Sequence, residues 1–291
     1  LLNRVKKAWV IVSKMIEQLL ITVLVENTAS GRGLLGEHGL SFLLETETSR
    51  LLFDTGQGLT LLHNAQQLEI DLKALDAIVL SHGHYDHTGG LPDLLQQARE
   101  ATLFLHPAAI APKYSPRGEI GAPFRDAQSI DQPIVWTEKL TEVVPGIWVT
   151  GAIPRRHPLE DTGGRFWTDA NHENPDSLMD DQALFMETPE GIVVILGCAH
   201  AGVINTLDYV ADLTGHSKFH AVLGGMHLVN ASQERIQATL DHLRKYDVQV
   251  IGANHCTGPK AMGALWSELV DRCVDARVGT RFKFGNFTST P

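Results

Sequence analysis

The stretch LSHGHYDHTGG, Leu80 to Gly90, decides the reading of this chain: three histidines and an aspartate fall between His82 and His87, directly after the apolar run Ala77–Leu80. Neutral imidazole and carboxylate are the ordinary ligands of Zn²⁺, Mn²⁺ and Fe²⁺. In extended backbone, residues two apart point the same way, so His82 and His84 can grip one ion. Asp86 and His87, past a bend, can face a second. Two ions about 3.5–4 Å apart sharing a hydroxide would hold a strong nucleophile at neutral pH. A single buried histidine is more often a hydrogen-bonded core residue than a ligand, but HxHxDH after an apolar strand reverses that weighting.

Three further apolar runs end in a loop bearing histidine: GIVVILGCAH (to His200), FHAVLGGMHL (His227) and VQVIGANHCTG (His255). Ligands gather at the carboxyl ends of strands in α/β architectures, and helical patterns follow at least three of the four loops. Four such ends, in a chain with 14 histidines, point to one convergent site, with His255 a further ligand candidate.

The flanking sequence reads as alternating strands and helices. LLITVLVENT is a strand. LSFLLETETSRLLFDTG is two strands joined through ETSR, and LTLLHNAQQLEI is a helix. GGLPDLLQQAREA is a helix with Pro92 in its first turn, and TLFLHP a strand. After a loose stretch, ALFMET and GIVVIL are strands, GVINTLDYVADLTG is a helix, and SQERIQATLDHLRKY is an amphipathic helix with Ser232 as N-cap. GPKAMGALWSELVD is the last helix. Residues 1–14 read as an extension before a domain spanning 15–291. Within that domain, about 108–181 reads as a loop-rich insertion in which only PIVWTE and GIWVTG look like strands.

With 291 residues, 43% of them hydrophobic and 20% charged, the chain can fill a sizeable core. A formal charge of −10 argues against a nucleic-acid partner. No run approaches the roughly eighteen apolar residues of a membrane helix, so no membrane partner is expected. Three cysteines, Cys198, Cys256 and Cys273, with no CxxC pair, fit a reducing cytoplasm.

HGHYDHTGG resembles the signature of the metallo-β-lactamase superfamily, and the likeness runs from about Met15 onward. LLFDTGQG resembles that superfamily's early aspartate motif, GIVVILGC its bridging-acid strand and VIGANH its last histidine. GEHGLS, SHGHYDHTGGL, GCAHAGVINT, GGMHL and HCTG together resemble one subfamily. Its members are labelled 7,8-dihydropterin-6-yl-methyl-4-(β-D-ribofuranosyl)aminobenzene 5′-phosphate synthase or metal-dependent hydrolase. The resemblance implies an α/β fold, a four-layer αββα sandwich, with a dinuclear site at one edge. It implies His82 and His84 on the first metal, Asp86, His87 and His255 on the second, and an orienting role for Asp54.

Two departures stand out. Cys198 occupies the slot of the usual bridging aspartate. A thiolate can ligate zinc or iron, and a buried cysteine is also an ordinary small hydrophobe. The first metal's third histidine has no match in NHENPDSLMDDQALF, which offers His172, Asp176, Asp180 and Asp181, but His200 can fill the vacancy. His227 has no ligand slot and is a general acid, a group that binds substrate oxygen, or a hydrogen-bonded loop residue. Glu37 and His38 are expected in a solvated turn. Arg117, Arg155, Arg156 and Arg165 can clamp a phosphate but are expected in solvated loops.

These readings favour a hydrolase carrying two divalent ions, zinc first, with manganese or iron as alternatives. A metal-bound hydroxide would attack a small phosphorylated or ester substrate, with Asp86 and His227 as catalytic groups. One alternative is a transferase in which an arylamine displaces the diphosphate of a pterin-like substrate, with Trp136, Trp148, Phe166 and Trp167 as stacking candidates. Iron-dependent oxidation on the same scaffold is the other. The oligomeric state is not legible.

Overall fold

The run QLLITVLV forms strand β1 (Gln18–Val25) in the computed structural model, which describes residues 14–287. The expected extension at residues 1–14 lies, Lys14 apart, outside the described residues. β1 pairs antiparallel with β2 (Ser41–Thr46), Val23 facing Phe42, and β2 with β3 (Arg50–Phe53), Phe42 facing Phe53. The chain then turns to parallel pairing. Helix α1 (Leu61–Gln67) leads to β4 (Ala77–Val79), and the short α2 (Tyr85–Thr88) and α3 (Leu91–Gln97) lead to β5 (Thr102–Leu105). A small hairpin, β6 (Tyr114–Ser115) and β7 (Gly118–Glu119), precedes β8 (Ile134–Trp136), which pairs parallel with β5.

A second sheet begins as an antiparallel meander of β9 (Thr141–Val144), β10 (Ile147–Val149), β11 (Ala183–Thr188) and β12 (Gly191–Leu196). Helix α4 (Val203–Thr214) crosses to parallel β13 (Phe219–Gly225), α5 (Gln233–Lys245) to parallel β14 (Val250–Asn254), and α6 (Pro259–Glu268) follows. Strand β15 (Arg281–Gly285) returns to pair with β1. The sheet orders are β15-β1-β2-β3-β4-β5-β8 and β14-β13-β12-β11-β10-β9. Ser232 caps α5 as expected, its side chain accepting from Arg235 N, and His242, Arg244 and Lys245 complement the dipole at its far end.

Alternation along the strands produces the layers. Val193 and Ile195 of β12 face the first sheet, where they share a core with Ile21, Phe42, Phe53 and Val79. Val194 and Leu196 face the other way, onto Leu207, Leu240 and Leu265 of α4, α5 and α6. On the far side of the first sheet, Leu43, Leu52, Ile78 and Leu103 bury against Leu61 and Leu94 of α1 and α3. The central strands are therefore apolar on both faces and read as continuous runs. This is the αββα sandwich expected from the sequence.

The stretch 108–181 differs from its expectation. The two expected strands are present, as edge strand β8 of one sheet and β10 of the other, and to them the stretch adds β9 and the β6–β7 hairpin. β9 and the hairpin are short and partly polar, as edge strands commonly are, which hid them in the sequence. Among the described residues no helix is long and apolar enough to cross a membrane, and all three cysteines are free.

Phe53 is fully buried between the sheets. Phe53→Ala should lower unfolding free energy by about 3–5 kcal/mol, read from the denaturant midpoint.

Candidate metal centre

Five strand ends meet at one rim. β3 runs into Asp54, β4 into the loop carrying His82 and His84 and then α2 with Asp86 and His87. β12 runs into Cys198 and His200, β13 into His227, and β14 into His255 and Cys256. Asp54, His227 and His255 adopt positive φ (61°, 41° and 50°), backbone that a non-glycine residue holds only where its surroundings impose it.

The hydrogen bonds assign the imidazole tautomers. Asp54 is fully buried; its Oδ1 accepts from Ser81 N (2.7 Å) and its Oδ2 from Ser81 Oγ and His87 Nδ1 (both 2.6 Å). His87 thus carries its proton on Nδ1 and turns the Nε2 lone pair inward. Ser81 Oγ, having given its proton to Asp54, accepts from His82 Nδ1 (2.9 Å), so His82 Nε2 is also unprotonated. His200 Nδ1 donates to Thr162 O (2.8 Å), and His255 Nδ1 to Asn27 Oδ1 (2.9 Å).

Four Nε2 lone pairs therefore converge with Cys198 Sγ. His87 Nε2 lies 3.1 Å from Cys198 Sγ and 3.2 Å from His255 Nε2, and His82 Nε2 lies 2.9 Å from His84 Nδ1. Nε2 of His84 and of His200 are buried and unpartnered. The 3.2 Å approach of His87 Nε2 to His255 Nε2 sets two lone pairs against each other, a repulsion that a cation between them would relieve. Tetrahedral zinc at its usual bond lengths sets neighbouring ligand atoms about 3.4 Å apart, close to these contacts. The donor set fits divalent cations.

Two histidine pairs share the thiol, His82 and His200 on one side and His87 and His255 on the other, with ligand-capable atoms within 4.8 Å in each group. Asp86 joins the second side, its Oδ2 3.4 Å from His255 Nε2 and 3.2 Å from His38 Nε2. Burial holds His82 and His200 well below the ordinary imidazole range and His84 down to about 3, so all three are neutral donors at pH 7. For His87 burial acts the same way, but the Asp54 and Asp86 carboxylates outweigh it and move it up. Burial pushes the Cys198 thiol up as well, so it ionises only beside a positive partner.

His172, Asp176, Asp180 and Asp181, weighed for the third ligand, belong to none of these groups among the described residues. Asp176 and Asp180 pair with buried Lys113 (3.0 and 2.9 Å), and Asp180 also accepts from Gly83 N (2.7 Å), bracing the His82–His84 loop. Asp181 accepts from Ala201 N and braces the Cys198–His200 loop. His172 stacks on Trp167.

Glu37 corrects its expectation: it is buried, not solvated, and its carboxylate accepts from Gln57 N (3.0 Å) and Leu59 N (2.8 Å). Its exposed neighbour His38 reaches Asp86. Arg155 is no solvated loop residue either; it donates to the carbonyls of His200, Ser177 and Leu178. Arg156 pairs with Asp212 on the surface, and Arg165 is exposed. Of the four stacking candidates, only Phe166 lines the cavity over the cluster, a space of about 410 Å³ shared with His38, Asp86, Cys198, His200 and His227.

Cys256, given no site role from the sequence, forms a further group with Cys198 and His227; its place beside His255 was the available signal. Also unanticipated is the strap 160–163. Glu160 accepts from Ile204 N and Asn205 N at the start of α4, Asp161 pairs with buried Arg235, and Thr162 O orients His200. Gly163 (φ 76°) packs so closely on His227 that a Cβ there would strike the ring.

Comparison with known proteins adds four findings. Residues 35–171 match the family model described as the metallo-beta-lactamase superfamily. The chain is 31% identical, over 85% of its length and 90% of the relative's, to the 7,8-dihydropterin-6-methyl-4-(beta-D-ribofuranosyl)-aminobenzene-5'-phosphate synthase of Methanocaldococcus jannaschii. Among solved structures, a metal-dependent hydrolase of the beta-lactamase superfamily superposes with a TM-score of 0.80 at 30% identity, covering 92% of this chain and 100% of that one. A metallo-beta-lactamase fold protein from Bacillus subtilis (TM-score 0.57, 12% identity, 92% and 99% covered) shares the fold alone.

Asp54→Asn places an amide N–H against His87 Nδ1 and upsets its tautomer. Zinc affinity, measured by chelator competition, should fall about 10–100-fold with the fold retained by circular dichroism. Glu160 offers a pH test, since burial raises it from 4.5 to about 7. A raised folded value means its contribution to stability is full below about pH 4.5 and lost as pH rises through 7. The melting temperature of Glu160→Gln should lack that part of the decline between pH 4.5 and 7.

Proposed function

Since the chain belongs to the metallo-beta-lactamase superfamily, we propose that it is a metal-dependent hydrolase of small phosphorylated or ester substrates, holding two divalent cations, zinc first. The observation that carries this reading is the convergence of unprotonated imidazole nitrogens on a shared thiol beneath an open cavity. His82, His84 and His200 would hold one cation, Asp86, His87 and His255 the other, and Cys198 would lie between them. Such cations acidify water and neutralise charge growing on a phosphoryl or carbonyl oxygen.

The rest is the work of the chain. Burial pushes Asp86 up, but the neighbouring His87 and a hydrogen bond from exposed His38 outweigh it and keep the carboxylate ionised. Its Oδ2 would orient the attacking water and accept a proton. His227 lines the same cavity with Nδ1 unpartnered, and its ring centroid is 4.2 Å from that of His200. It would give a proton to the leaving oxygen. Asp54, Ser81, Asn27 and the Thr162 carbonyl fix the ring orientations on which both roles depend.

A second reading, favoured by the similarity to the Methanocaldococcus jannaschii synthase and by Phe166 in the wall, keeps the same residues and changes the nucleophile. An arylamine nitrogen would attack the methylene carbon of a pterin-methyl diphosphate, and the C–O bond would break with diphosphate leaving.

The test pairs metal analysis with turnover. The purified protein should carry two equivalents of zinc or manganese and hydrolyse 4-nitrophenyl phosphate esters or 4-nitrophenyl acetate. His82→Ala and Asp86→Ala should each lower kcat/KM at least about hundredfold and reduce the metal content. Ester turnover at wild-type rates in both variants would refute the reading. Diphosphate release that requires both the pterin diphosphate and the arylamine would move the assignment to the transferase.

A further inference from the structure

We infer that Arg117 and Phe166 form a subsite for a planar aromatic or heteroaromatic substrate carrying a second anionic group, remote from the bond that reacts. The inference rests on the hydrolase reading only for where the reacting group sits.

Arg117 stands in the turn of the β6–β7 hairpin, in the wall of the cavity above the histidine cluster. The hairpin is tied to the cluster itself. Ile120 O accepts from Tyr85 N (2.8 Å), next to Asp86, and Gly121 bridges to His84. At its base, buried Lys113 is held by Asp176 and Asp180, and Asp180 also holds Gly83 between the two first histidines. The turn is closed by Ser115 Oγ, which accepts from Arg117 N and donates to Gly118 O. The backbone under Arg117 is thus positioned by the contacts that position His82 and His84.

Charge in the wall is uneven. Glu119 faces the same cavity, but its carboxylate is paired with Arg125. Asp86 is engaged by His38 and His255. The guanidinium of Arg117 has no ion pair among the described residues, whereas Arg125, Arg155, Arg156 and Arg235 are each engaged elsewhere. An arginine fork is matched to carboxylate and phosphate, which it binds through paired N–H donors. Phe166, half-buried in the wall, has its ring 5.1 Å from His84 and 5.3 Å from His200, centroid to centroid. It gives the cavity wall an apolar aromatic surface beside the cluster, suited to an aromatic ring. A substrate with its reacting group on the cluster, its ring along Phe166 and a second anion at Arg117 would use all three.

The test uses phosphonates, which bind without being turned over. Phenylphosphonate is compared with 4-phosphonobenzoate and the longer 4-(phosphonomethyl)phenylacetate by isothermal titration of the zinc-loaded protein. At least one of the carboxylated probes should bind about tenfold or more tighter than phenylphosphonate. Arg117→Ala, at an exposed turn, should abolish that preference and leave phenylphosphonate unchanged, with Arg117→Lys keeping part of it. Phe166→Leu should weaken all three. Equal affinities in the wild type, or a preference that survives Arg117→Ala, would overturn the inference. An Arg117-dependent preference in a protein that hydrolyses no ester would defeat the hydrolase reading and leave the subsite standing. Ester turnover with no preference would do the reverse.

Discussion

A single carboxylate with no water around it sets the geometry of the site. Asp54 sits at the end of β3, accepts from the Ser81 backbone, the Ser81 hydroxyl and His87 Nδ1, and is itself held in left-handed backbone. A buried carboxylate left unpaired is costly, so the neighbouring loop and α2 have little freedom to move away from it. Through Ser81 the same group governs His82. The proton positions of two imidazoles, and so the direction of their lone pairs, follow from one side chain that does not face the cavity.

The second sheet contributes by a parallel device built from different parts. His200 is oriented by the Thr162 carbonyl in a strap anchored at Glu160 and Asp161, while Arg155 and Asp181 hold the loop's backbone. His255 leans on Asn27, just beyond β1. In His82, His87, His200 and His255 the inward-facing ring nitrogen is thus paired with an outward proton given to a fixed acceptor. That division of labour separates an imidazole cluster able to bind cations from one that is merely buried.

Much of this was legible in the sequence because its signals are local. HxHxDH concentrates four polar groups in six residues after an apolar strand, and the strand ends at Cys198, His227 and His255 repeat the theme. The double-sided cores of β12 and β13 show as unbroken apolar runs. What escaped depends on contacts between distant segments. Glu37 looks like a turn residue until the backbone at Gln57 and Leu59 folds over it. Arg155 looks solvated until three carbonyls from two loops surround it. Strand β9 and the β6–β7 hairpin lack hydrophobic periodicity because they lie at edges, and the strap at 160–163 has no periodicity at all. Cys256 sat in view beside His255, but its proximity to Cys198 arises only when β12 and β14 stand in one sheet.

The distribution of the donors across the two sheets has a mechanical consequence. His82, His84, Asp86 and His87 come from the first sheet, and Cys198, His200 and His255 from the second. Neither half alone presents a complete set, and the face between the sheets is closed mainly by apolar packing, which has no preferred direction, with a few crossing hydrogen bonds such as those from Gln182 to the Leu80 and Ser81 carbonyls. Ions at this rim would act as a clasp across the seam, drawing on folding and binding at once. A small slip of one sheet over the other would open the clasp before the core had lost much of its burial. The chain would then lose its chemistry at the first parting of the layers, well ahead of its shape.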